Sequence, residues 1–199
     1  MQTPTMTQDK DSQRSAKARL LEAASILFYN DGLAASGIDH IVERAGVAKK
    51  SLYNNFSSKA ELIATYIEAR HAEWLELYQL RLIKADTVQD KIISVFLAYQ
   101  DHAEFAYEKG FRGCGLLNAA AELPVGAPGR EAVRRHKEQV EEILKSHLIV
   151  YFQGNAEQAT QLATHFSFLL EGSISRAGLE GNSMRLTQAI QIAITMLKS

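Results

Sequence analysis

The sequence predicts an all-α protein in which three short helices precede a larger helical bundle, about nine helices in total. Apolar residues recur three and four positions apart in almost every segment, and no segment shows the sustained alternation typical of strands. Glycine-containing breaks separate these segments. Hydrophobic residues make up 46% of the 199 residues, which is enough to bury a sizeable core.

The first three predicted helices lie close together near the N-terminus. The first spans residues 15–30, has one apolar face and ends at Asp31-Gly32. The second spans residues 37–44, and Ser36 is its expected N-cap. After a turn at Gly46, the third spans residues 48–54. This arrangement places two short helices on either side of a glycine turn, with the first helix as their support.

Six further helices are predicted after residue 57. Ser58 and Glu61 have the spacing of a capping box, which opens a long fourth helix to about residue 83. The others span residues 87–109, 116–123, 130–149, 156–179 and 183–197. We therefore expect a flexible tail at 1–13, a helix-turn-helix domain at 14–57 and a second domain at 58–199.

Residues 38–56 have the pattern of a helix-turn-helix. Helices this short are unstable alone, so they must pack on the first helix. The third helix then faces outward, where it can enter a DNA major groove. Its expected exposed side chains are cations, hydroxyls and amides, which suit phosphates and base edges: Lys49, Lys50, Ser51, Tyr53, Asn54 and Asn55.

The run from Leu20 to Leu62 resembles the DNA-binding domain of the tetracycline-repressor (TetR) family. The matching residues are Ser36, Ile38, Ile41, Ala45-Gly46-Val47, Lys49, Leu52-Tyr53, Phe56 and Ser58-Lys59-Ala60-Glu61-Leu62. The resemblance implies phosphate contacts from Ser36, Tyr53, Asn55 and Lys59, and groove contacts from Lys49, Lys50 and Ser51. The alternative interpretation is that the lysines form a solvated surface and that Tyr53 and Phe56 only fill the core. For Phe56, core packing is the favoured interpretation.

Two departures from the family pattern fall on the third helix. Ala48 stands where the family has a capping serine, so a weaker cap is expected. Lys50 stands where the family has glycine, which adds a cation near the groove. Both departures indicate that electrostatic attraction supplies a larger part of the free energy of DNA binding.

The resemblance implies that the second domain binds a small molecule and forms a dimer. A pocket for a partly apolar or aromatic effector is predicted from residues on the central helices: Trp74, Tyr78, Phe96, Tyr99, His102, Cys114, Asn118, Glu122 and Phe166. Simple core packing is the alternative for each of them. A homodimer interface is predicted on the last two helices from Leu162, Phe166, Leu169, Leu170, Ser173, Ile174, Ala177, Ile190 and Ile194.

The favoured function is a DNA-binding transcriptional regulator, a repressor released from a palindromic operator by a small molecule. An activator or a ligand-independent regulator of the same fold is an alternative. An enzyme using Cys114 as nucleophile, with His102 or His165 as base, is a further alternative that no motif favours. No cofactor and no metal site are expected, because the histidines lack ligand spacing.

The composition and charge of the sequence indicate the cellular compartment of the protein. The single cysteine excludes an internal disulfide and favours a reducing compartment. No stretch approaches the roughly 20 apolar residues of a membrane span, and the N-terminus lacks the apolar segment of a signal peptide. The net charge of −1 is nearly neutral, but residues 1–59 carry a small excess of positive charge, as expected of a DNA-binding segment. A cytoplasmic protein is predicted.

Overall fold

The computed structural model describes residues 14–198, and the predicted tail at 1–13 lies outside that range. All regular secondary structure within it is helical, which confirms the all-α prediction. None of the described helices is long and apolar enough to cross a lipid bilayer. The nine helices are α1 (Ala16–Asp31), α2 (Ile38–Ala45), α3 (Lys49–Asn55), α4 (Lys59–Leu82), α5 (Val88–Ala103), α6 (Gly115–Ala121), α7 (Pro128–Tyr151), α8 (Ala156–Glu180) and α9 (Met184–Lys198).

The chain divides into two compact units, the first ending at Tyr66 and the second beginning at Ile67. The division falls within α4, several residues after the predicted boundary at 57/58. That boundary stays a prediction, since α4 carries residues of both units.

The core of the first unit joins α1, α2 and α3. Leu20, Ile41 and Leu52 have no exposed surface, and each comes from a different helix. Phe28 meets Tyr66 edge to face, with ring centroids 5.4 Å apart. Each of these short helices is stable because its apolar side chains are buried against the other two.

The core of the second unit is formed by α5, α7, α8 and α9, which pack on one another. Phe96 of α5 and Phe166 of α8 are fully buried and meet at right angles, with centroids 5.5 Å apart. Leu144 and Leu148 of α7 are also fully buried. Their spacing of four residues places them on one face of that helix.

The prediction that α5 continues to residue 109 is wrong, because the helix ends at Ala103. The segment after it turns back, and the hydroxyl of Tyr107 there accepts a hydrogen bond from Arg70 at 3.2 Å. This contact joins residues far apart in the sequence, so local helix propensity does not reveal it. The start of α5 is a capping box between Thr87 and Asp90.

Two predicted caps also differ from the structure. The N-cap of α2 is Gly37 and makes no side-chain hydrogen bond. Ser36 is instead fully buried, and its hydroxyl donates to the carbonyl of Gly32 at 2.6 Å. At the start of α4, Ser58 accepts from the amide of Glu61 as predicted, but the Glu61 carboxylate accepts from the amide of Ser57 rather than that of Ser58. Ala48 caps α3 without a side-chain hydrogen bond, as expected of alanine.

A close approach of two glycines fixes the glycine-rich segment 110–115 against α8. A Cβ atom added at Gly178 would lie 2.5 Å from the amide nitrogen of Gly113. Gly113 itself has φ +84°, a conformation that other residues rarely adopt. Only glycine at position 178 therefore permits this packing.

Replacing Gly178 by alanine is expected to lower the free energy of unfolding by about 1–3 kcal/mol, because the new methyl group must displace the backbone at Gly113. Gly172 lies on the same helix, and a Cβ there would meet no heavy atom within 4 Å. Gly172→Ala is the matched control and should stabilise by up to about 1 kcal/mol through helix propensity. Urea unfolding at one protein concentration measures both. Equal effects of the two substitutions would contradict the close-packing argument.

Candidate nucleic-acid interface and buried cavity

The exposed face of α3 carries four of the predicted DNA-binding residues. Lys49, Lys50 and Asn54 are exposed, and 53% of Tyr53 is exposed. We call these four residues the α3 surface. Behind them Leu52 and Phe56 are buried, so the prediction that Phe56 belongs to the core is confirmed. Half of α3 thus anchors the helix, and the other half offers cations, a hydroxyl and an amide to solvent.

Lys49 has an acidic partner within the same unit. Its ammonium lies 2.8 Å from a carboxylate oxygen of Asp39 at the start of α2, and both side chains are more than half exposed. The hydrogen bond to Asp39 raises the pKa of Lys49 above its usual value. A phosphate approaching Lys49 must therefore compete with Asp39. No motif pointed to Asp39 as an influence on the α3 surface.

The remaining predicted contacts are less accessible. Ser51 and Asn55 are half-buried, and the Asn55 amide donates to the Ser51 carbonyl at 2.7 Å. Lys59 is also half-buried, and its ammonium donates to the carbonyl of Leu33 at 2.6 Å. Ser36 has no exposed surface to offer a phosphate. Among these, Lys59 keeps further donor capacity, since an ammonium carries three N–H groups.

The turn between α2 and α3 is held by a residue that sequence reasoning missed. Gly46 adopts a left-handed conformation with φ +61° and ψ 38°. The guanidinium of Arg19 on α1 donates to the Gly46 carbonyl at 3.0 Å. Arg19 is 27 residues away in the sequence, so no local pattern could have assigned it this role. The bond ties the turn to the supporting helix.

The second unit contains a small, partly open cavity. Its volume is about 30 Å³, which is room for two or three water molecules. Its walls combine aromatic and aliphatic groups with three buried polar side chains and a thiol: Arg70, Trp74, Tyr99, His102, Phe111, Gly113, Cys114, Gly115, Leu116, His136 and Ile174.

Arg70 organises the polar side of this cavity. Its guanidinium forms an ion pair with Glu73 at 2.6 Å and lies 3.0 Å from the Nδ1 atom of His102. Burial, followed by the positive charges of Arg70 and Lys137, lowers the pKa of His102 to about 3. His102 is therefore neutral at physiological pH.

A second polar cluster surrounds Lys137 of α7. Its ammonium pairs with Glu171 at 2.8 Å and donates to the Tyr99 hydroxyl at 3.3 Å and to the Cys114 sulfur at 3.6 Å. Burial lowers the pKa of Lys137, but the Cys114, Tyr99 and Glu171 groups more than offset burial, so the pKa lies above its usual value. The amine stays charged.

His136 of α7 adds a third buried polar group. Its Nδ1 atom lies 2.7 Å from Nδ1 of His71. Burial, with smaller contributions from Lys137, His71 and His102, lowers the pKa of His136 to about 3. Sequence reasoning missed Arg70, His136 and Lys137, because His102, His71 and Tyr99, which they contact, lie on other helices.

The structure brings together only part of the predicted pocket. Trp74, Tyr99, His102 and Cys114 line the cavity. Tyr78 stacks on Trp74 and hydrogen-bonds His147, outside the cavity walls. Phe96 and Phe166 belong to the core. Asn118 donates to the Arg112 carbonyl and lines a separate surface groove with Cys114, and Glu122 is exposed, so neither Asn118 nor Glu122 is a wall of the cavity.

The predicted dimer residues lie mostly inside the unit. Buried positions offer little surface to a partner subunit, and these are Leu162, Phe166, Leu170, Ser173, Ile174, Ala177 and Ile190, of which Ser173 also lines a surface groove. Only Leu169 and Ile194 are half-buried. The large apolar residues that α8 and α9 do expose were not predicted, and among them Phe168 is 69% exposed and Ile192 is 48% exposed. They line one groove with Leu169, which we call the Phe168 groove.

Comparison with known proteins supports this description. The sequence model of the family described as "Bacterial regulatory proteins, tetR family" matches residues 20–66. The HTH-type transcriptional activator FasR of Mycolicibacterium smegmatis is 46% identical over 57 residues, which are 29% of this chain and 26% of that protein. The HTH-type transcriptional repressor KstR2 of the same species is 32% identical over 95 residues, 47% of this chain and 46% of that protein.

The similarity extends over the whole chain at the level of the fold. SCO4454, a TetR-family transcriptional regulator from Streptomyces coelicolor, has a TM-score of 0.83 at 24% identity, covering 92% of this chain and 94% of that one. The matched segments span only a quarter to a half of the curated relatives' length. The chain is thus a helix-turn-helix protein with a helical second unit. Over residues 20–66 the chain is similar to the tetR family of bacterial regulatory proteins.

The low pKa of His136 predicts a loss of stability in acid. An unfolded histidine has a pKa near 6.5, whereas that of folded His136 is about 3. Between these values the unfolded state binds a proton that the folded state excludes. The contribution of His136 to the free energy of unfolding is therefore fully present above pH 6.5 and is lost progressively as the pH falls towards 3. At 1.36 kcal/mol for each pH unit, His136 accounts for a loss of roughly 2 kcal/mol at pH 5.

Urea unfolding at pH 7.5 and pH 5 tests this prediction. In His136→Gln the drop between the two pH values should be smaller than in the unsubstituted protein by roughly 2 kcal/mol. His40 is exposed on α2, and His40→Gln is the control, with an unchanged drop expected. An unchanged drop in His136→Gln would show that His136 is protonated alike in both states.

Proposed function

We propose that the protein is a transcriptional regulator that binds operator DNA through the α3 surface and acts as a repressor released by a small molecule. The observation that carries the proposal is the outward-facing α3 surface on a helix-turn-helix whose turn is fixed by Arg19 and Gly46. A helix held in this way can enter a major groove without rearranging. The site of action of such a protein is the cytoplasm.

The chemistry of the α3 surface supports DNA as the partner. Lys49 and Lys50 suit phosphates, and Tyr53 and Asn54 can donate to phosphates or base edges. Lys50 has no acidic partner within 4 Å among residues 14–198, so its charge is open to an incoming phosphate. Lys59 and Asn55 are proposed as secondary phosphate contacts. With two clustered lysines, electrostatic attraction should supply much of the affinity.

Repression is the direction that we favour, and activation is the alternative. The names of the two relatives point both ways, since FasR is called an activator and KstR2 a repressor. A repressor of this kind binds DNA in the absence of its effector and dissociates from the DNA when the effector binds. It acts by blocking the promoter, which needs no contact with RNA polymerase. Repression is thus the simpler mechanism.

We infer a homodimer from the Phe168 groove. An apolar side chain as exposed as Phe168, beside Ile192 and Leu169, is typical of an interaction surface. Two copies related by a twofold axis would bury these residues against each other. The same symmetry would place two α3 helices in successive major grooves of a palindromic operator, about 34 Å apart.

The effector is proposed to act at the cavity in the second unit. Arg70 and Trp74 line the cavity and lie on α4, whose first residue is Lys59. A drug-sized ligand needs about 300 Å³ or more, so the cavity must enlarge to hold one. The effector shifts DNA binding only to the extent that it prefers the enlarged, non-binding conformation.

Lys49→Ala is expected to weaken binding to the DNA upstream of the protein's own gene, because one phosphate contact is lost. The slope of log affinity against log salt concentration should fall by about 1. Lys84 is an exposed lysine beyond α4, and Lys84→Ala is the charge-matched control. Fluorescence anisotropy at several salt concentrations measures both. Equal slopes in the two variants would show that α3 is not the DNA-binding element.

Asp39→Asn is expected to raise DNA affinity about twofold to fivefold, because Lys49 loses its competing partner. Glu43→Gln removes one exposed negative charge from the same helix and controls for the general effect of charge. Anisotropy titration at one salt concentration compares the two. The prediction fails unless the Asp39→Asn gain exceeds that of Glu43→Gln and disappears in the Lys49→Ala background.

Phe168→Glu is expected to convert the dimer into monomers, since it buries a charge at an apolar interface. Ile83 is 81% exposed at the end of α4, outside the Phe168 groove, and Ile83→Glu is the control. Sedimentation velocity should give a monomer for the first variant and a dimer for the second. A dimeric Phe168→Glu protein would place the interface elsewhere.

A further inference from the structure

Two hydrogen-bond donors at the cavity have no partner among the residues that the structure describes. Trp74 is 2% exposed, and within residues 14–198 its indole Nε1–H makes no hydrogen bond. A buried donor without an acceptor costs free energy, so such a group is usually satisfied by water or by a ligand. Trp74 forms part of the cavity wall, and an acceptor placed in the cavity can supply the missing bond.

The second donor follows from the tautomer of His102. A guanidinium only donates, so the bond between Arg70 and the Nδ1 atom of His102 requires Nδ1 to accept. Because His102 is neutral, its single ring proton then lies on Nε2. That N–H makes no hydrogen bond with any described residue, and His102 lines the same cavity. Arg70 therefore fixes His102 as a donor.

The charges around the cavity favour an anion. The two cations are more buried than the carboxylates that pair with them: the side chains of Arg70 and Lys137 are 14% and 17% exposed, whereas those of Glu73 and Glu171 are 34% and 31% exposed. Each cation is therefore less exposed than its carboxylate partner, and the second carboxylate oxygen of Glu171 is itself buried and makes no hydrogen bond within residues 14–198. Burial is the main cause of the lowered pKa of His102, and the positive charges of Arg70 and Lys137 lower it further.

The other walls of the cavity are apolar. Phe111, Leu116 and Ile174 line it together with the rings of Trp74 and Tyr99. Flat aromatic walls pack well against a flat apolar group. A ligand that matches the cavity therefore combines a hydrogen-bond-accepting anion with a planar apolar body.

We propose that the cavity binds the carboxylate group of a small planar acid, with the Nε1–H of Trp74 and the Nε2–H of His102 donating to its oxygens. The proposal rests on the proposed function, in which this cavity is the effector site, and it adds the chemical class of the effector. Arg70 is a positioning residue, because it orients His102.

The size of the cavity sets where each part of the ligand lies. Room for two or three waters is room for a carboxylate group, but not for a whole aromatic acid. Gly113 and Cys114 line the cavity and also line an open surface groove with Leu117 and Leu179. The apolar body passes between Cys114 and the aromatic walls towards this groove, which widens the cavity.

The protein's single tryptophan makes the test direct. Trp74 is the only tryptophan in the chain, so its fluorescence reports binding at the cavity without any label. The full-length protein is titrated with benzoate and, separately, with benzamide, a neutral molecule of nearly the same shape. A saturable change with benzoate, at an affinity at least tenfold higher than for benzamide, is expected. No saturable change, or equal affinities, would overturn the proposal.

Two variants test the donors separately. His102→Leu removes the Nε2 donor and should weaken benzoate binding about tenfold, the effect of one charge-assisted hydrogen bond. His147→Leu is its control, since His147 pairs with Tyr78 outside the cavity walls. Trp74→Phe removes the indole donor, and calorimetry replaces fluorescence for that variant. If His102→Leu does not fold, Trp74→Phe and the benzamide comparison still decide.

The result separates this inference from the proposed function. Unchanged benzoate affinity in both donor variants would refute the carboxylate site. DNA affinity measured on the same preparations tests the proposed function separately, because DNA binding depends on the α3 surface. If an uncharged compound released the protein from DNA while benzoate did not bind, the cavity would remain an effector site of different chemistry.

Discussion

Packing of Leu20, Ile41 and Leu52 against one another is the constraint on which the first unit depends. Helices of seven and eight residues cannot persist in water on their own, so α2 and α3 exist only while this contact is made. The glycine turn lets the two helices meet at the required angle, and Arg19 ties that turn to α1. The orientation of the α3 surface is therefore a property of the apolar core behind it.

A different balance governs the second unit, where charges are buried near one another. Arg70 and Lys137 are each neutralised by a glutamate, which reduces the cost of removing them from water. Both cations disfavour protonation of His102, which stays a neutral donor. The ion pairs that reduce the cost of burying these charges thus also determine which hydrogen bonds the cavity can make.

The sequence predicted the features that depend on residues close together in the chain. It did not predict those that depend on contacts between residues far apart. Helical spacing and glycine breaks predicted every helix, because both signals act within a few residues. The end of α5 was missed because Tyr107 is held by Arg70 of another helix. Most of the predicted dimer residues are buried within the unit for a related reason: Phe166 and Phe168 are two positions apart, and periodicity alone does not tell which face of α8 is the interior. The polar cavity walls could not be predicted, since His71 and His136 are 65 residues apart.

The contact between Gly113 and Gly178 has a consequence for how such proteins diverge. A side chain at position 178 can be accommodated only if the segment around Gly113 moves away, and that segment is part of the cavity wall. A mutation at position 178, which is not part of the cavity wall, therefore reshapes the cavity. Homologues can acquire new ligand preferences in this way, and positions 113 and 178 should covary between homologues with different preferences.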